Sequence, residues 1–485
     1  MTTVMGLKTI PMNTIPDLKA TPEAATLEQA YGGRRVHFVG VGGTGISGLA
    51  HMLHGAGAMV TGTDIEESDT TRKLQEIGVK ITHDQSSEGL PANTEVVVYS
   101  AAIRDNQPEL VEARRRGLEI HKYAHLLGKV MACKHGIAIA GTHGKSTTTA
   151  MTAWILSQAG TDPSYVVGAK SRQLGGSSRG GRGEFFVVEA CEYDRSFLNL
   201  APRIAAVLNI EEDHLDYYRD INEITSAFAD FVCKIPADGL LITQSGTGNC
   251  QRPALAARAA VQTYGVDVEA DWTATQVSMV GGKGHFLVHF RKKPMGWLEI
   301  IIPGRHNVGN ALVAVAIAHH CGIPWEAIRK AIGEFAGVDR RSQLVGEKGG
   351  VTLVDDYGHH PSEIRATLLA LRGKYSPKRL ICVFQPHQHS RTRSLLDDFA
   401  RSFTHADLTI VPDIYFVRDT EDDRRTVSAE HLVQRLKENG REAMYLPSFE
   451  KIEDYLAAEA RPGDLIVSMG AGPVWKITHE LAKRI

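Results

Sequence analysis

His135-Gly-Ile-Ala-Ile-Ala140-Gly141-Thr-His-Gly144-Lys145-Ser146-Thr-Thr-Thr149 is a short, largely apolar run that breaks into a glycine-flanked turn and then into hydroxyl-bearing residues. An apolar run of this length bounded by glycine reads as a buried strand, and a helical pattern continues from Lys145 through Gln158. A strand that feeds a helix through such a turn is a phosphate-binding loop. In Gly141-Thr142-His143-Gly144-Lys145-Ser146 the amides would wrap the phosphates, Lys145 would meet the outer phosphates, and the Ser146 hydroxyl suits Mg2+. The loop is shorter than the usual G-x-x-x-x-G-K-[ST], with Ile139 where the first glycine would stand. A capped helix start explains the hydroxyl run but not the preceding strand or the two flanking glycines.

Outward toward the N-terminus, Arg35–Val39 runs into Gly40-Val-Gly42-Gly43-Thr44-Gly45, and a helical stretch over 46–53 follows. Strands are expected at 58–62 and 95–99, with Asp64 just past the first. Gly-x-Gly-x-x-Gly between strand and helix with a later acid is a dinucleotide fingerprint, although any nucleoside diphosphate satisfies the same geometry. A tight turn with no ligand has the same glycines.

Outward toward the C-terminus, Glu189 ends the strand expected at 184–189, beside the phosphate loop, where an acid suits Mg2+. Asn209-Ile-Glu-Glu-Asp-His214-Leu-Asp216 follows a strand at 204–209; its carboxylates and His suit a second metal, a general base or a solvated acidic loop. Another strand is expected at 240–243, and residues 245–300 read as an antiparallel insertion. Helices are expected at 307–320 and 325–335. Strands at 351–354, 380–384, 408–411 and 465–469 follow. Asp355-Asp356-Tyr-Gly-His359-His360-Pro361 offers metal ligands by type, or groups for ribose hydroxyls and a carboxylate. Phe384-Gln-Pro-His387-Gln-His389-Ser-Arg391-Thr-Arg393 presents cations at a strand end, and Arg there suits an anion through bidentate pairing.

Strands alternating with helices three times over predict an α/β protein of mainly parallel sheets. The expected domains are a loose extension over 1–30, then 31–133, 134–337 and 338–485. A length of 485 residues suits that number. Glycine, 47 of 485, is enriched and clustered in the turns. A net charge of −2 offers no field for nucleic acid or an anionic membrane. Six scattered cysteines with no C-x-x-C pair read as reduced thiols. No apolar run reaches the roughly 18 residues of a membrane span, and the N-terminus has no secretory pattern. A cytoplasmic protein is expected.

In combination, HFVGVGGTGISGLA, YSAAI, GTHGKSTTT, EACEYDRSFL, NIEEDHLDYY, GRHNVGNALVAVAIA, GVDRR, DDYGHHPSEI, FQPHQHSRT and GAGP resemble the Mur ligase family in order and spacing. The likeness runs from about Val36 to the last strand and is nearest to the alanine-adding branch. It implies a three-domain architecture with Rossmann-like N- and C-terminal domains and a P-loop central domain. It also implies ATP-dependent amide formation through an acyl phosphate, joining L-alanine to UDP-N-acetylmuramic acid. The UDP-sugar would meet Gly42, Gly43, Thr44, Gly45, Ser47, Asp64, Ser100, Asp194 and Ser196. ATP would meet the 141–147 loop, His306, Asn307, Asn310, Arg341 and Asp356. Ser146, Glu189 and His214 would ligate Mg2+, two ions in all. His359 and Arg391 would hold the amino acid, and Lys145, His214, Arg341 and His359 would be catalytic. Gln388 departs from the Arg that several alanine-adding members carry, which removes a charge near the amino acid. Ser226-Ala-Phe-Ala229 lacks the carbamylated Lys of sibling ligases, as the alanine-adding branch does. A monomer or weak homodimer is expected, with no nucleic acid or membrane partner.

Three other readings compete. A ligase recycling an intact peptide onto the same sugar shares every motif but the amino-acid pocket. An NAD-dependent oxidoreductase leaves GTHGKS, GRHNVGN and Arg341 unexplained. A non-catalytic UDP-sugar sensor has no need of Lys145, Ser146, Glu189 and His214.

Overall fold

The computed structural model describes residues 25–485 apart from Thr44 and Ala101. The expected Thr44 contact and most of the 1–30 extension lie outside the described residues. Residues 27–30 depart from the expectation of a loose extension: they begin the helix Leu27–Tyr31, closed by a capping box between Thr26 and Gln29. The chain forms two compact units. One runs up to Ile210 and adds Thr225–Trp272 and Val313–Ala331; the other comprises Glu211–Ile224, Thr273–Leu312 and Ile332–Ile485.

The first unit holds a five-stranded parallel sheet of β1 (Arg35–Val39), β2 (Met59–Thr63), β3 (Lys80–Thr82), β4 (Val96–Tyr99) and β5 (Glu119–Lys122). Its order is β3-β2-β1-β4-β5. The chain reverses direction of winding at β1, and ligands of doubly wound sheets sit outside such a reversal. The glycine turn at 40–45 leaves β1 at that point.

The same unit carries β6 (His135–Ala140), β7 (Ser164–Ser171), β8 (Gly176–Arg179), β9 (Phe185–Glu189), β10 (Ile204–Val207), β11 (Leu240–Gln244) and β12 (Ala260–Val266). They run β12-β11-β10-β6-β9-β7-β8, with only the β7–β8 pairing antiparallel among those seven. β6 is fully buried, as a near-continuous apolar run in a parallel sheet should be. The helix Lys145–Gln158 starts where β6 ends.

In the second unit, β14 (Lys283–Phe290) and β15 (Lys293–Ile300) form an antiparallel hairpin beside β13 (Trp272–Val280). A further sheet holds β16 (Gln343–Lys348), β17 (Val351–Asp356), β18 (Arg379–Phe384), β19 (Leu408–Val411), β20 (Ala443–Tyr445) and β21 (Asp464–Met469), ordered β16-β17-β21-β18-β19-β20. Alternate residues of its central strands enter opposite cores. Leu380, Cys382 and Phe384 pack with Leu368 and Phe399, while Ile381 and Val383 pack with Ile452 and Ile477. Both faces are therefore covered by helices.

Two expectations needed correction. The 245–300 segment is antiparallel only in part: β12 continues the sheet as a parallel partner of β11. β3, β5, β7, β8, β16 and β20 had no counterpart in the sequence reading; all but β7 are short or polar, and β7 holds only the brief apolar run Tyr165–Val167.

Candidate active site

The glycine turn after β1 is braced from within. The Gly42 amide donates to the Asp64 carboxylate at 2.7 Å, and the Gly40 and Val41 amides donate to the Thr63 carbonyl. Asp64, expected at the UDP-sugar, thus already shapes the turn. Ser100 adjoins it: a methyl on Gly40 would stand 3.4 Å from the Ser100 β-carbon. The Ser47 amide donates to Gly43, opening the helix Ile46–Gly55. Gly45 is pressed against the Tyr123 phenol, with no room for a β-carbon. Burial raises the Tyr123 pKa, and the charge of Glu189 raises it further, so this ring links the first turn to the end of β9. Asp194 and Ser196 sit on a separate turn, Tyr193–Asn199, where Asp194 and Arg195 both adopt left-handed backbone (φ 53° and 50°).

The second turn has the form that its sequence implied. Gly144 caps the helix Lys145–Gln158 in a left-handed conformation, leaving the helix N-terminal amides without a side-chain cap. Such amides and the helix dipole favour an anion. Gly141 has φ 140°, and a β-carbon there would stand 2.9 Å from Leu208. Asn209 clamps the loop: its side-chain oxygen accepts from the His143 amide at 2.7 Å, and its side-chain nitrogen donates to the His143 carbonyl at 3.0 Å. Lys145 donates to the Gly141 and Thr142 carbonyls and to Glu192 at 2.8 Å. Burial opposes the ammonium's charge, but Glu192, Cys191 and Glu189 together outweigh it and the Lys145 pKa rises. Ser146 and Thr147 are buried. Glu189 accepts from the Gly168 amide at 2.6 Å, and a β-carbon on Gly168 would collide with that carboxylate. The Ser146 hydroxyl and the Glu189 carboxylate are hard oxygen donors, so the residues present fit Mg2+.

The second unit gathers another set. Arg391 donates to Asp213 at 2.7 Å, and its other nitrogen faces His387 at 3.3 Å. Burial raises the Asp213 carboxyl's pKa, but Arg391 and the nearby His214, His359 and His360 more than reverse this and hold it well below the usual range. His214 itself has left-handed backbone (φ 54°), and its amide donates to the Asp213 carboxylate. His360 reaches the Glu212 carbonyl at 3.0 Å, and Ser362 donates to Glu211 at 2.6 Å. These bonds join the 211–216 loop to the start of the helix Pro361–Tyr375. Gln388 is buried and donates to Asp216 at 3.4 Å.

His359 faces the Tyr357 carbonyl through Nδ1 at 3.1 Å, and burial pushes its pKa down to about 3. Burial and Arg391 push His387 down to about 4. Arg341 donates to Glu363 at 3.1 Å and lies over the Tyr357 ring. Asp356, expected at the ATP ribose, accepts from the Ser342 and Gly358 amides at 2.6 and 2.7 Å. Burial raises its pKa, and Arg341 opposes the rise. Asn307 donates to the Pro303 carbonyl at 2.7 Å, and Asn310 donates to Asn307 at 2.9 Å. His306 lies across Gly304, where a side chain would clash with it.

Lys145, Ser146, Glu189 and the first glycine turn therefore belong to the first unit. His214, His306, Asn307, Asn310, Arg341, Asp356, His359 and Arg391 belong to the second. Glu192, Asn209, Asp213 and Glu363 were absent from the expected site residues. Two signals were available: Glu192 stands three residues past Glu189, and Glu363 falls in the first helical turn after His359.

Three family models match in succession: Mur ligase family, catalytic domain, over residues 35–135; Mur ligase middle domain, over 139–318; and Mur ligase, glutamate ligase domain, over 340–472. The chain is 41% identical over 452 residues to the UDP-N-acetylmuramate–L-alanine ligase of Geobacter sp. (strain M21), covering 93% of this chain and 97% of that one. It resembles the solved UDP-N-acetylmuramate–alanine ligase of Thermotoga maritima with a TM-score of 0.75 and 26% identity, over 93% of this chain and 98% of that one. It also resembles the murein peptide ligase of Psychrobacter arcticus, with a TM-score of 0.66 and 27% identity, over the same shares of 93% and 98%.

Proposed function

The chain belongs to the Mur ligase family, and we infer that it joins L-alanine to the lactyl carboxylate of UDP-N-acetylmuramic acid at the expense of ATP. The products are UDP-N-acetylmuramoyl-L-alanine, ADP and phosphate, which makes the enzyme a contributor to peptidoglycan precursors. The observation that carries this reading is the 41% identity to an alanine-adding ligase along nearly the whole of both chains. One chain with two phosphate turns then has a plain reason: the 40–45 turn takes the UDP diphosphate and the 141–146 turn takes ATP.

In the first step a lactyl carboxylate oxygen attacks the γ-phosphorus and ADP leaves. Lys145 turns from Glu192 and the loop carbonyls to the transferring phosphoryl group, and Arg341 adds a second cation, both countering charge that grows in the transition state. Beside Glu192 in the resting loop, the raised pKa keeps the Lys145 ammonium charged. Ser146, Glu189 and His214 would hold Mg2+, two ions in all, which when bound would supply further charge neutralisation on the phosphate oxygens. His306, Asn307 and Asn310 surround the adenine, and Asp356 holds the loop that faces the ribose. In the second step the amine nitrogen attacks the acyl carbon, the bond to the phosphate oxygen breaks, and phosphate departs with the proton that the nitrogen sheds. Arg391 takes the alanine carboxylate in a bidentate pair. His359, neutral at working pH, accepts a hydrogen bond from the amine and is too weak a base to hold its proton.

Among the described residues no helix is long and apolar enough to cross a membrane, and all six cysteines are free. Both facts suit a cytoplasmic enzyme, working as a monomer or weak homodimer. The test is mass spectrometry of a reaction holding ATP, Mg2+, UDP-N-acetylmuramic acid and L-alanine. The adduct should appear only when all four are present, and its absence under those conditions contradicts the reading.

A further inference from the structure

Glu363 touches two groups that the reaction uses separately. One carboxylate oxygen accepts from Arg341 at 3.1 Å. The other accepts from the His359 backbone amide at 3.0 Å and lies 3.5 Å from the His359 ring. The side chain is only 10% exposed, so water screens these bonds weakly.

The local reason for its placement is clear. His360 is the N-cap of the helix Pro361–Tyr375, which puts Glu363 at the third helical position, where a carboxylate suits the dipole. An acid there commonly reaches back to the N-cap amide. Here it reaches one residue further, to His359. Capping accounts for one oxygen and leaves the other unexplained, since Arg341 lies 22 residues away in the chain. Tyr357 completes the frame: its carbonyl faces the His359 ring, its amide donates to Arg340, and its ring lies beneath Arg341.

Resting on the roles proposed above for Arg341 and His359, we propose that Glu363 is a positioning residue that holds the phosphate-directed arginine and the amine-directed histidine in one frame. It thereby ties the geometry of phosphoryl transfer to that of amine attack. Each anchor fixes one end of the carboxylate, so displacing either tilts the other. A misplacement of about 1 Å can cost on the order of 10²-fold in rate.

The test is a kinetic double-mutant cycle on the full-length enzyme with ATP, UDP-N-acetylmuramic acid and L-alanine. Arg341→Ala should act mainly on kcat and the KM for ATP, and His359→Ala mainly on the KM for L-alanine. Glu363→Gln, which keeps the shape but can accept with only one oxygen, should lower kcat and raise the KM for L-alanine together, each by about tenfold. Glu363→Asp keeps the charge and should recover part of one effect. In Arg341→Ala, adding Glu363→Gln should lower kcat little further; in His359→Ala, it should raise the KM for L-alanine little further. Strictly additive effects, or a Glu363→Gln enzyme with wild-type kinetics, would overturn the role of Glu363 while leaving the proposed function in place. If Arg341→Ala and His359→Ala both behave as wild type, the roles assigned to those residues fall, and the role of Glu363 with them. Thermal melts of every variant identify any loss due to misfolding, and Glu363→Gln is the variant least exposed to it.

Discussion

Arg391 and Asp213 form an ion pair at 2.7 Å with side chains 7% and 8% exposed. The cation expected to take the carboxylate of the incoming amino acid is already holding a carboxylate: one nitrogen of its fork donates to Asp213, and the other faces His387. Arg391→Ala should raise the KM for L-alanine by about tenfold or more and leave the KM for ATP within about twofold, as loss of a charge-assisted bidentate pair implies. Breaking a buried pair also strands its partner at about 3–5 kcal/mol. Arg391→Ala with Asp213→Asn should therefore regain thermal stability without regaining alanine affinity. Steady-state kinetics and melting curves together check this; a KM for L-alanine that is unchanged in Arg391→Ala would contradict it.

Lys145 and Glu192 make the matching test in the phosphate loop. Lys145→Ala should leave UDP-N-acetylmuramic acid binding intact while cutting turnover by on the order of 10²-fold or more. It should also lower the melting temperature, since Glu192 is left buried without its cation. Adding Glu192→Gln should restore the melt but not the turnover. Near-normal ligation by Lys145→Ala would exclude it as the phosphate-binding lysine.

How much of this was legible depends on chain separation. The strand, turn and helix at 135–158 could be read directly, because the apolar run, the glycines and the hydroxyl run are consecutive. The order of motifs then pointed to the family. The roles of Glu192, Asn209, Asp213 and Glu363 were not legible, although each lies in a quoted motif, because each acts on a partner 47, 66, 178 or 22 residues away. Asp356 shows the converse limit. Its place in a motif suggested a ligand contact, and the structure adds what the motif did not show, that each of its oxygens accepts from a loop amide.

Gly45 supplies a steric test of the UDP-sugar turn. A methyl there runs into the Tyr123 phenol. Gly45→Ala should weaken UDP-N-acetylmuramic acid binding by about tenfold or more in titration calorimetry while ADP binding persists, because overpacking shifts the backbone. Pairing it with Tyr123→Ala should restore part of the affinity. Unaltered sugar-nucleotide binding in Gly45→Ala would place that ligand elsewhere.

Acid should destabilise the protein from just below neutrality. Burial pushes His135, His320, His359 and His387 down to about 4, 4, 3 and 4. Each is neutral when folded and protonates when unfolded below about pH 6.5, so the unfolded state binds more protons and stability falls with pH from 6.5 toward 4. Each such proton contributes a slope of about 1.4 kcal/mol per pH unit. Asp355, raised to about 6 by burial, works the other way over part of that range, as do Asp356 and Glu453, also raised by burial, but they are outnumbered by the four histidines together with His51, His121, His319 and His479, which burial also lowers. Melting temperatures at constant ionic strength should drop steadily between pH 7 and 5; a flat or rising trend would contradict these burial effects.

The identity of the amine is the centre of the account, and a panel of acceptors tests it most directly. Phosphate release from ATP is followed at fixed UDP-N-acetylmuramic acid with L-alanine, L-serine, glycine, D-glutamate, diaminopimelate or a preformed tripeptide. L-Alanine should give the highest kcat/KM. Serine should be weaker, and glycine should be measurable but reduced, because one methyl in an apolar pocket is worth only about 1–3 kcal/mol. Preference for D-glutamate, diaminopimelate or the tripeptide over L-alanine would contradict the account and assign the chain to another branch of the family.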